Sequence, residues 1–150
     1  MPVPNEMICV IYAHTAEAQS DLIDAIARLL SGRVSPQTFY SLIVPLTQSR
    51  SRDESAGSYI LVDVHKSRDF NAERSSEFPD GFLYFRYRVE VYTEIEEADA
   101  EVKQVVERIL DFLWSTGYPA VAACDFEEEL PHKGGYKSLR IPWPAPASPK

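Results

Sequence analysis

The twelve residues "CDFEEELPHKGG" (124–135) crowd a thiol, four carboxylates and a histidine into one short stretch. Asp125, Glu127, Glu128 and Glu129 offer oxygen ligands of the kind a hard cation takes. A calcium loop, however, alternates its ligands around a turning glycine, and this run does not. Cys124 and His132 are zinc-type donors, but a lone pair eight positions apart matches no standard zinc spacing. Two readings remain: a strand end whose charges point into water, or an acidic docking loop held by Leu130 and Pro131 and made mobile by Gly134-Gly135. No metal and no other cofactor is expected.

The other chemistry-bearing residues are sparse. His14, His65 and His132 stand in no serine or cysteine nucleophile motif. The carboxylates of Asp125 and Glu127 disfavour a thiolate at Cys124. Dinucleotide, phosphate-loop, zinc-protease and nucleophile-elbow signatures are all missing. The expectation is a protein without enzymatic activity.

The elements that position these residues follow from periodicity. "MICVIYA" (7–13) reads as a buried strand. A helix follows, with Leu22, Ile23, Ile26, Leu29 and Leu30 at helical spacing, Thr15 as N-cap and Gly32 as stop. "TFYSLIVPL" (38–46) is a possible extra strand that Pro45 confines to an edge, and 47–57 is a polar loop. "SYILVDVHK" (58–66) alternates, with Ile60, Val62 and Val64 on one side and Tyr59, Leu61, Asp63 and His65 on the other. "FLYFRYRVEVYTE" (82–94) alternates too. Leu83, Phe85, Tyr87, Val89 and Val91 turn inward, and Tyr84, Arg86, Arg88, Glu90 and Tyr92 turn outward. A polar connection over 67–81 ends in an Asp-Gly turn. Val102, Val105, Val106, Ile109 and Leu113 mark a second helix between Asp99 and Gly117, and "PAVAACDF" (119–126) is the last strand.

This order predicts an α+β fold of the ferredoxin-like βαββαβ plan, an antiparallel sheet with two helices on one face. It forms a single domain over 1–141, followed by an extended or mobile Pro-rich tail over 142–150. The first and last strands are expected side by side at the sheet centre, bringing Cys9 and Cys124 together as free thiols. The uncovered sheet face then carries Tyr59, Asp63, His65, Tyr84, Arg86, Arg88, Glu90 and Tyr92.

With 23 acidic against 15 basic side chains, the net charge is −8. That opposes nucleic-acid binding, which needs a cationic surface. RNA-recognition modules stack bases on such a sheet face, but their glycine–aromatic signature is missing from the 82–94 strand. Two cysteines in apolar runs point to a reducing compartment. The N-terminal apolar run is too short for a signal or a membrane span. The expected place is the cytoplasm, with no membrane partner.

The stretch "FLYFRYRVEVY … VVERILDFLWSTGYPAVAACDFEEELPHKGGY" resembles, in layout, small bacterial immunity proteins encoded beside polymorphic toxins of type VI secretion or contact-dependent inhibition systems. The shared layout is a long exposed strand, a helix, a small-residue strand and an acidic loop. The resemblance implies a protein that binds and neutralises a cognate toxin domain by occlusion, with no activity of its own. Tyrosine and arginine on the open face would anchor the toxin, and Asp125, Glu127, Glu128 and Glu129 would steer it. The alternative is a small-molecule-binding or catalytic ferredoxin-like domain.

Overall fold

A computed structural model describes residues 9–45, 59–93 and 99–145. The polar loop over 47–57 and the last five residues of the tail lie outside them. The described residues are α+β, with two α-helices and one antiparallel sheet of six strands among them. In chain order these are β1 (Cys9–Ala13), α1 (Gln19–Leu30), β2 (Arg33–Val34), β3 (Ser41–Pro45), β4 (Tyr59–Lys66), β5 (Tyr87–Tyr92), α2 (Asp99–Thr116) and β6 (Ala120–Ala123). Across the sheet the order is β2-β3-β4-β5-β1-β6. It departs from the plain four-stranded plan because the short hairpin β2–β3 extends the sheet beyond β4.

Alternation sets which face is buried. Ile11, Leu42, Val44, Ile60, Val62, Val64, Tyr87, Val89, Val91 and Ala122 point the same way and form one apolar core with the helices. Helix α1 contributes Leu22, Ile23, Ile26 and Leu30 and lies against β2–β4. Helix α2 contributes Val102, Val106, Ile109, Leu110 and Leu113 and lies against β5, β1 and β6. Each of these large side chains, fully buried, stabilises the fold by about 1.5–3 kcal/mol.

Several expectations need correction. Helix α1 starts at Gln19 rather than at Thr15, whose hydroxyl instead accepts the Glu17 N–H at 3.1 Å in a local turn. Strand β5 starts at Tyr87, because 80–84 coil into a 3-10 turn. A Cβ on Gly81 would stand 2.6–2.7 Å from the carbonyl oxygens of Arg74 and Ser75, so only glycine allows that turn to pack. Leu83, expected inward, is consequently exposed.

Strand β6 pairs antiparallel with β1 as expected but lies at the sheet edge, not its centre. That edge is covered by the chain itself. Gly134 and Gly135 are buried at φ +82° and +98°, where a Cβ would come within 3.0 and 2.9 Å of the Ala122 and Ala120 carbonyl oxygens. The Trp114 indole N–H donates to Ala120 O at 3.0 Å. The two glycines thus serve close approach rather than mobility, and the edge is blocked against a further strand. Ile141 is buried, and Trp143, within the expected tail, packs on Phe78 and Phe85 and donates to Ser76 O at 2.9 Å.

Candidate functional site

The outward-facing residues of β3, β4 and β5 assemble a polar network. Register places Asp63 opposite both Ser41 and Glu90, and His65 opposite Arg88. Asp63 is 8 % exposed, and a carboxylate so buried needs partners. It has two: the Ser41 hydroxyl donates to Oδ1 at 2.6 Å and the Tyr92 hydroxyl to Oδ2 at 3.1 Å. Next to it, His65 Nε2 lies 3.8 Å from Asp63 Oδ2 and 3.9 Å from Glu90 Oε1, an ion pair whenever the ring is charged. The Arg88 guanidinium holds the other Glu90 oxygen at 3.3 Å and reaches over the Tyr12 ring. The Tyr40 ring rests on His65, centroids 4.8 Å apart. Tyr59, on the same face at the start of β4, is 37 % exposed.

The arrangement presents rings and charges held in place, and its one aliphatic hydroxyl, Ser41, donates to Asp63. Asp63, His65 and Glu90 bring three potential metal-donor atoms within 4.8 Å of one another. One nitrogen and two oxygens suit a borderline divalent ion such as zinc. Both carboxylates are, however, already engaged by hydroxyls and by Arg88.

Two expected members stand apart. Tyr84 lies in the 3-10 turn beneath the Arg74 guanidinium, 4.3 Å from its ring centroid. The Arg86 side chain covers the Phe70 ring at 4.6 Å, and its backbone N–H donates to His14 Nδ1 at 3.2 Å. Both belong to the packing of the 67–84 connection. His14 is half-buried there between Phe70 and Phe85, and burial, with the Arg86 charge, holds its imidazole below the usual histidine range.

The acidic stretch is a folded turn rather than a free loop. Phe126 and Leu130 are buried in the core. Glu127 accepts the Cys124 N–H at 3.0 Å, and Glu129 pairs with Lys103 of α2. Asp125, Glu128 and Glu129 remain exposed. The turn leaves the end of β6, three strand positions from β4 or roughly 14 Å. His132 stacks edge-on against Trp114.

Sequence reasoning missed Tyr40, Ser41 and Tyr12. The alternation of "SLIVP" contained the signal for Ser41, since Leu42 and Val44 point inward and Ser41 must point outward. Tyr40 precedes the strand and left no such signal.

In comparisons with known proteins, no family model matches the chain, and no curated protein or solved structure is significantly similar to it.

Proposed function

We propose that the chain is an immunity protein, a non-enzymatic binding domain that neutralises a cognate bacterial toxin by occluding it. In this reading β6-β1-β5-β4 with α1 and α2 is a ferredoxin-like unit, and the β2–β3 hairpin widens its binding face. The observation that carries the proposal is the preorganised open network: Tyr40, Tyr92, His65 and Arg88 are partly exposed yet fixed by partners, with exposed Tyr59 beside them. Tyrosine and arginine dominate binding hot spots, and side chains already ordered lose little freedom on binding. The exposed carboxylates of Asp125, Glu128 and Glu129, with the net charge of −8, favour a basic partner. No helix among the described residues is long and apolar enough to cross a membrane. The free thiols of Cys9 and Cys124 support the cytoplasm as its place of work.

The test is co-expression with the toxin domain encoded beside its gene. Protection of the host, and a stable complex with a catalytically dead toxin, are the expected results. Absence of both removes the immunity reading. One observation favours a second reading, a metal- or small-molecule-binding domain: the convergence of Asp63, His65 and Glu90. Zinc binding by calorimetry that Glu90→Gln abolishes would favour it.

A further inference from the structure

Cys9 and Cys124 are separated by most of the chain yet meet across β1 and β6. The ladder pairs Val10 with Ala123 and Ala13 with Ala120, so the next step outward sets Cys9 opposite Cys124. Hydrogen bonding along an antiparallel pair alternates. The His14 N–H donates to Pro119 O at 2.9 Å, which makes 14/119 a hydrogen-bonded pair. Counting back by alternate steps leaves Cys9/Cys124 a non-hydrogen-bonded pair. The Cys124 N–H agrees, since it is spent on the Glu127 carboxylate. In such pairs the Cα atoms approach to about 4.5 Å, inside the range that a disulfide spans. The two thiols are close enough to shift each other's ionisation, Cys9 wholly buried and Cys124 partly buried where the turn begins.

We propose that Cys9 and Cys124 form a reversible oxidation site for hydroperoxides, with Cys124 as the reacting thiol and Cys9 as its resolving partner. The Cys124 sulfur attacks one peroxide oxygen, the O–O bond breaks, and hydroxide leaves Cys124 as a sulfenic acid. The Cys9 sulfur then attacks the Cys124 sulfur. The S–O bond breaks, and the hydroxyl departs with the Cys9 proton as water. Two thiols thereby lose two electrons and two protons, and one hydrogen peroxide becomes two waters.

The surroundings divide the roles. The neighbouring Cys9 thiol, helped by the Phe126 N–H, holds the Cys124 thiol below its usual range despite burial and the nearby Glu127 and Asp125 carboxylates. The same proximity, with burial, pushes Cys9 far above it. Hydrogen peroxide is small enough to reach a partly buried residue such as Cys124. The product ties the edge strand to its neighbour at the root of the acidic turn.

The assay needs no partner, so its outcome is independent of the proposed function. The full chain, freed of reductant, is treated with hydrogen peroxide, quenched with N-ethylmaleimide and weighed intact. The expected result is loss of both alkylation sites and a mass lower by about 2 Da, with Cys9 linked to Cys124 in the peptide map. Dithiothreitol should restore both sites. In Cys9→Ser, dimedone should trap a sulfenic acid at Cys124. Should that variant not fold, dimedone added to the parent at early times locates the first oxidised sulfur. Both thiols still alkylated, a link between two chains, or first oxidation at Cys9 would overturn the proposal.

Discussion

Over β6 and β1 the outer face of the sheet lies under side chains supplied by the chain itself. Over β3, β4 and β5 the same face keeps a polar network partly open to water. On the first half, Val121 is almost fully buried, Phe82 packs edge-on against Tyr12 and Tyr136 against Phe82. Phe85, Phe78 and Trp143 continue the aromatic layer beside His14. On the second half, Ser41, Asp63, His65, Arg88, Glu90 and Tyr92 pair with one another, although Arg88 Nε finds no hydrogen-bond partner among the described residues. The difference separates a half that carries stability from the half proposed for recognition. Changes to the covered half should unfold the protein, and changes at the rim of the open half should spare folding.

The largest effect should come from Phe85→Ala, which empties a fully buried ring position. A loss of about 3–5 kcal/mol in urea unfolding is expected, and a loss no larger than that of a surface change would dissolve the contrast. Asp63→Ala tests the inner layer of the open half. It strips the acceptor from the Ser41 and Tyr92 hydroxyls, at an expected cost of about 1–3 kcal/mol. A neutral outcome would mean that water replaces the carboxylate there.

The boundary between the halves can be read by pH. His14 is neutral as an acceptor of the Arg86 N–H, and its folded pKa lies below the unfolded value near 6.5. The unfolded chain therefore binds more protons as pH falls below that value. The stability that His14 contributes is complete above about pH 6.5 and declines as pH falls toward the depressed pKa. His14→Gln should flatten this part of the profile, and an unchanged slope would assign it to other groups. The smallest effect belongs to Glu129→Gln, which removes an exposed pair with Lys103 and should shift stability by ~0–1 kcal/mol.

The legible part of the molecule was its periodic part. Ile60, Val62 and Val64 against Asp63 and His65, and Val89 and Val91 against Arg88 and Glu90, each fall on the side their alternation indicated. The same rule failed at Leu83 and Tyr84, because a period of two continues smoothly into a turn that Gly81 alone permits. The acidic run was legible in part. Asp125, Glu128 and Glu129 are exposed and Leu130 is buried, as its charges and apolar anchor suggested, while the burial of Phe126 left no local sign. The network at Asp63 was half visible, since strand parity names its β4 and β5 members. Parity gave the outward direction of Ser41, but no local pattern encodes its pairing with Asp63 or the place of Tyr40 just before the strand.

The central claim is that the open half of the sheet is the binding surface. It is tested most directly by the dissociation constant of the Tyr59→Ala/Arg88→Ala double variant for the catalytically dead toxin domain, alongside Glu127→Gln/Glu128→Gln/Glu129→Gln. Both side chains are more than a third exposed, so folding should be retained, which a matching urea midpoint would verify. The expected result is a loss of about 2 kcal/mol or more, roughly thirtyfold, carried by faster dissociation. The glutamine variant should mainly associate more slowly, with a flatter salt dependence. Binding by the double variant at the parent's affinity and off-rate would contradict the claim and move the interface off this face.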